Sequence, residues 1–155
     1  LDITAEFDTT NPLIPARIRY LMRIWLGLAA LIQNDENEVA IRYEQIRDER
    51  RVPEEIPSGS WPGAHFPALM AAYLGRYDEA EAHYGRALDR AAAYTSPTLR
   101  ARIISDYATM LFERNAPGDR EKAIEFQDEA IAIATDLGMK PLLERVLAQR
   151  EILKA

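Results

Sequence analysis

Small side chains recur in this chain at helical spacing, and that recurrence constrains the fold more than any other feature. Gly27, Ala68 and Ala108 fall near the middle of three successive helix-patterned segments, 41 and then 40 positions apart. A second set follows Ala68 and Ala108: "GRYDEAEAHYGRAL" and "GDREKAIEFQDEAI" superpose with Ala80 over Ala123 and Ala87 over Ala130. Residues seven apart on a helix share a face, and a face of small residues lets a second helix approach closely. No segment alternates apolar and polar residues as a half-buried strand would. The expectation is an all-α chain built from recurring helix pairs.

The boundaries follow from local chemistry. Residues 1–14 read as an extended arm and residues 15–155 as one helical-repeat domain. Its hairpins are expected at 15–51, 62–94 and 97–137, with a capping helix at 140–154 and a proline-rich linker at 52–62. Ile18, Leu21, Ile24, Trp25, Leu28, Leu31 and Ile32 give a first helix that should be largely buried. Asp35 with Glu38, and Asp78 with Glu81, have the spacing of capping boxes at two helix starts. "RVPEEIPSGSWPGAHFP" carries Pro53, Pro57, Pro62 and Pro67, a density no continuous helix tolerates. The next helix is expected over about 63–74, with Pro67 in its first turns or at its true start and Gly75 closing it. Ser96 and Pro97 open a fifth helix as N-cap and first helical residue. Asp119 caps a sixth that ends at Gly138. In the last helix Leu142, Leu143, Val146, Leu147, Ile152 and Leu153 make one apolar stripe.

Composition narrows the function. At 155 residues the chain can bury a self-sufficient core. A net charge of −6, with basic residues interleaved among acids, argues against a phosphate-binding surface and so against direct nucleic-acid binding. The absence of cysteine removes thiolate nucleophiles and thiolate metal sites and suits a cytoplasmic setting. The longest apolar run, "IWLGLAALI", falls far short of the roughly 20 residues of a membrane span. With Leu1 in first position and no signal peptide in view, the chain reads as a processed or excised piece of something longer.

The residues offer no catalytic constellation. Neither GxxxxGK[ST] nor GxGxxG occurs, and "PSGSWPG" reads as turns. His83 lies four residues after Glu79, which would suit two metal ligands on one helix face, but a third ligand is missing and a surface hydrogen bond is the simpler reading. His65 reads equally as groove-lining or packed. Glu54, Glu55, Glu125, Asp128 and Glu129 spread over solvated faces rather than converging for acid–base work. Ser58, Ser60, Ser96 and Ser105 lack a nucleophile-elbow context. The expectation is a protein that is not an enzyme and uses no cofactor or metal.

Ala68, Gly75, Tyr77, Ala80, Tyr84, Ala87 and Leu88 together resemble the tetratricopeptide repeat. That family places a small residue in its first helix, Gly and then an aromatic at the turn, and spaced small residues in its second helix. The sixth helix keeps Ala123, Ala130 and Ile131 but has Gln127 at the aromatic position; the first pair keeps little beyond Gly27, Val39 and Tyr43. The period near 40 exceeds the family's usual 34. The resemblance implies a right-handed α-solenoid of about three divergent hairpins plus the capping helix, with first helices lining a concave surface. Carried over residue by residue, the groove positions are Ile24, Trp25 and Leu28; His65, Phe66, Leu69 and Tyr73; and Arg102, Asp106, Thr109 and Glu113.

Residues from "YLGRYDEAEAHYGRALDRA" to "AIAIATDLGM" also look like the C-terminal helical tail of large bacterial signalling regulators. Those regulators combine a nucleotide-cyclase or LuxR-type DNA-binding domain with a P-loop NTPase. This resemblance implies a non-catalytic scaffold that binds a protein or peptide, or another domain of its own polypeptide. Two further readings are a small-molecule effector sensor, with the proline-rich linker as a lid, and an oligomerisation arm built on the first helix. Trp25 and Phe66 read equally well as core aromatics.

Overall fold

The computed structural model describes residues 9–47 and 65–154, and these form seven α-helices with no strand among them. Residues 1–8 of the expected arm, the proline-rich linker with Trp61, the end of the second helix at 48–51, and positions 63 and 64 at the expected start of the third lie outside the described residues. Two compact units divide the chain, residues 1–80 and 81–155.

In residues 1–80, α1 (Ala16–Gln33) and α2 (Glu36–Arg47) pack together, and α3 (Phe66–Tyr73) packs on both. Ile24, Val39, Tyr43, Ala68, Met70 and Ala71 are completely buried. Gly27 faces α3: a Cβ built there would run into the end of the Met70 side chain. The sequence assigned Gly27 this role of a small residue at a helix crossing. Asp35 caps α2 by accepting the Glu38 N–H at 3.1 Å, while the Glu38 carboxylate turns to Arg42 instead of completing a box.

Other expectations for this unit need correction. Thr9 to Ile14 form turns rather than an extended arm, with the Leu13 N–H donating to Asn11 Oδ1 at 2.9 Å. Thr9 is buried because two arginines reach it: Arg23 donates to its carbonyl at 2.9 Å and Arg42 to its hydroxyl at 3.3 Å. α1 is not largely buried, since Trp25 is 60 % exposed and Ile32 87 %. α3 begins at Phe66, and Pro67 occupies its first turn, where a missing N–H costs nothing.

The helix α4 (Tyr77–Ala93) starts one residue before Asp78, so Asp78 lies within the first turn rather than at the N-cap. Ala80, at the end of the first unit, and Ala87 in the second are both buried. Residues 81–155 continue with α5 (Pro97–Arg114), α6 (Asp119–Asp136) and α7 (Lys140–Lys154). Ser96 caps α5 as expected, accepting the Leu99 N–H at 3.3 Å, and Pro97 follows as the first helical residue. Gly138, at φ +65°, ends α6 in the left-handed region open to glycine.

The core of this unit joins Ala101 and Ile104 of α5 to Ala130 and Ala134 of α6 and Leu142 and Val146 of α7. Asp119 is inside α6 rather than capping it; its carboxylate accepts the Ala116 N–H at 2.9 Å and two bonds from Arg114 at 2.8 Å. The apolar stripe of α7 is split: Leu142 and Val146 are core, whereas Leu147 and Ile152 are exposed outside it.

Candidate functional site

In residues 1–80 the expected groove positions do not converge. Trp25 and Gly27 project about 200° apart on α1, so Trp25 points away from the face on which α3 packs. Leu28, Phe66 and Leu69 are half-buried. His65 is buried just ahead of α3, its ring 5.5 Å from that of Phe66, in keeping with a packed histidine. Tyr73 donates from its hydroxyl to Asn34 Oδ1 at 2.7 Å, tying the end of α3 to the end of α1. The Glu79 carboxylate accepts the Tyr43 hydroxyl at 2.7 Å, while a His83 ring nitrogen meets Arg86 at 2.8 Å. Glu79 and His83 are therefore engaged elsewhere than in a metal pair, and among the described residues no group of three His, Cys, Asp or Glu could hold a metal.

Residues 81–155 contain a dense polar cluster that the sequence did not reveal. Glu81 accepts from the Tyr107 hydroxyl at 2.6 Å and from Arg114 at 2.7 Å, with Lys122 at 3.4 Å. Arg114, and then Tyr107, hold the Glu81 carboxyl down at about 2. Tyr84 stacks on Tyr107 with rings 4.8 Å apart and 6° from parallel, and Lys122 lies 4.7 Å from the centre of the Tyr107 ring. Burial, followed by the Glu81 carboxylate, pushes the Tyr107 hydroxyl up, so it stays protonated. Every member already has a partner from another helix, which makes the cluster a clamp joining α4, α5 and α6. The signal in the sequence, Asp78 with Glu81, looked like a cap because cap and clamp both want an acid at that position.

The other expected positions form a line on α5 that faces α7. Arg102 is exposed at one end. Asp106 pairs with Arg145 at 3.2 Å, and the Thr109 hydroxyl accepts from Gln149 at 3.1 Å. Beyond these contacts the two helices part around a pocket of about 290 Å³ lined by Thr109, Phe112 and Glu113 of α5 and Gln149, Ile152 and Leu153 of α7. The apolar wall raises the Glu113 carboxyl above its usual range by desolvation. Behind Phe112 and Leu153 a second pocket, about 340 Å³, is lined also by Arg120, Ile124, Gln127, Asp128, Arg150 and Lys154.

Thr109 and Glu113 were found by the groove reading; Phe112, Gln149, Ile152 and Leu153 were missed. The sequence puts Ile152 and Leu153 in one apolar stripe with Leu142 and Val146, and which of these line the pocket depends on how α7 packs against α5, a tertiary property. Among the described residues no helix is long and apolar enough to cross a membrane. No protein-family model, no curated protein and no solved structure matches the chain.

Proposed function

We propose that this chain is a non-catalytic protein-interaction and regulatory module, a tetratricopeptide-like helical scaffold whose α5–α7 pocket receives an apolar side chain of a protein or peptide partner. The observation that carries the proposal is the pocket itself: an apolar hollow walled by Phe112, Ile152 and Leu153, with Glu113 as the ionisable group among its lining residues. Aromatic and aliphatic walls supply affinity, and a single acid supplies orientation. Thr109 and Glu113 are also positions that the repeat resemblance assigns to a binding groove. The pocket is open at the surface and lies at the small end of the range for small-molecule sites, which favours a protruding side chain over an enclosed effector.

The right-handed solenoid, the bacterial regulator of which this chain would be one arm, and the cytoplasmic setting belong to the same proposal and rest on the two resemblances. A library of displayed amphipathic peptides selected against the chain tests the site. Binders should lose at least tenfold in affinity when Leu153→Glu places a charge in the wall, with far-UV circular dichroism unchanged. Binders indifferent to Leu153→Glu and to Thr109→Trp would remove the pocket from the proposal.

A further inference from the structure

We propose that α1 is a self-pairing helix, through which two copies of the chain meet antiparallel along Ile18, Leu21, Trp25, Leu28 and Ile32, with Trp25 on the twofold axis. These residues are spaced three, four, three and four apart, the apolar seam by which helices pair along their length. Ile18 is 39 % exposed, Trp25 60 % and Ile32 87 %, and the two leucines are half-buried. The buried side of α1, with Arg23, Gly27 and Ala30, lies across the helix from this stripe, and buried Ile24 flanks it. α1 is thus apolar on two faces, and among the described residues of its own unit α2 and α3 pack on one of them. An apolar stripe of that kind, exposed at Ile18, Trp25 and Ile32, marks an interaction surface.

Symmetry and charge select the occupant. The ends of the stripe read alike in both directions from Trp25, with Ile18 and Ile32 seven residues to either side, while Leu21, four before it, has Ala29 as its counterpart four after. An antiparallel copy centred on Trp25 therefore sets Ile18 against Ile32 at both ends, as a twofold contact requires. Exposed Arg17 lies at the start of α1, and exposed Asp35 and Glu36 lie just beyond its end. Antiparallel pairing brings each Arg17 toward the acids of the other copy and opposes the helix dipoles favourably, whereas parallel pairing sets Arg17 against Arg17. A helix of 18 residues is about 27 Å long, so one such contact covers roughly half of the ~800 Å² per partner of a standard interface. The expectation is a concentration-dependent dimer, not an obligate one. This surface lies wholly within residues 1–80 and is independent of the α5–α7 pocket.

Single-cysteine variants of the naturally cysteine-free chain test the geometry under mild oxidation. Ile18→Cys mixed with Ile32→Cys should give the mixed disulfide, while Ile18→Cys alone should cross-link poorly, its two thiols being about 21 Å apart along the pair. Sedimentation of the unaltered chain should show dimer growing with concentration, and Trp25→Glu should raise the dissociation constant at least tenfold with helicity unchanged. A chain that stays monomeric up to about 1 mM overturns the proposal. So does an Ile18→Cys variant that links to itself as readily as to Ile32→Cys, or a dimer unmoved by Trp25→Glu.

Discussion

Helices α1 and α5 are both 18 residues long, yet the more apolar of the two is the less buried. α5 carries Arg100, Arg102, Asp106, Glu113 and Arg114 and still buries nine residues, among them Ile103, Ile104, Met110 and Leu111. α1, with its continuous "IWLGLAALI", buries six, one of them an arginine. The difference lies in what surrounds each helix. α5 has α6 packed tightly along it, and Tyr107, Ser105 and Thr109 send contacts to α4 and α7 as well. α1 is covered by α2 and α3 on one side. Apolar content thus measures how much surface a helix could bury, and the neighbours decide how much it does.

Substitutions at equivalent chemistry should separate the two helices. The largest effect is expected at Ile104, completely buried on α5: Ile104→Ala should cost about 2–5 kcal/mol in a denaturant titration, through lost transfer energy and a residual cavity. A loss under 1 kcal/mol would place Ile104 outside the core.

Next comes the clamp. Arg114→Ala should cost about 2–4 kcal/mol, because it strands the buried Asp119 carboxylate and frees Glu81. The same network predicts a pH dependence. The Glu81 carboxyl titrates at about 2 in the folded chain against 4.5 ordinarily, so its contribution is present in full above about pH 4.5 and is lost as the pH falls toward 2. Asp119, held down by Arg114, adds a loss of the same sign in acid. Thermal melts of Glu81→Gln should be flatter across that window than those of the unaltered chain; identical slopes would deny Glu81 this part.

A smaller effect is expected where α5 relies on a small side chain. Ala108 is completely buried, and Ala108→Leu should cost about 1–3 kcal/mol by overpacking. The smallest belongs to α1: Ile32→Ala should stay within about 0.5 kcal/mol when measured on dilute protein, since Ile32 is almost fully exposed. Should Ile32→Ala cost as much as Ile104→Ala, the contrast between the two helices would fail.

What could be read from the sequence divides along physical lines. Helix ends governed by local chemistry were legible: Ser96 with Pro97, Asp35, Gly75 and Gly138 each act within a few residues of themselves. The small residues Gly27, Ala68, Ala87, Ala108, Ala123 and Ala130 were legible too, since close helix contact leaves a periodic mark, and all are buried. Roles decided across long stretches of chain were not. Glu81 looked like a capping partner but serves Tyr107 and Arg114, which lie 26 and 33 residues further on. Trp25 looked like core or groove because its spacing fits the apolar stripe, and spacing alone does not say which side of a two-faced helix is covered. Of the six pocket residues, Thr109 and Glu113 were legible; Phe112 beside them was not, and Gln149, Ile152 and Leu153 depend on which side α7 turns to α5.

The central claim, that the α5–α7 pocket takes an apolar side chain of a partner, is tested most directly by methyl chemical-shift mapping with a peptide recovered from the display selection. The largest shifts are predicted at Ile152, Leu153 and Thr109, the methyl-bearing residues of the wall. Shifts confined to the far side of α6, or to α2, with those three unmoved, would contradict it.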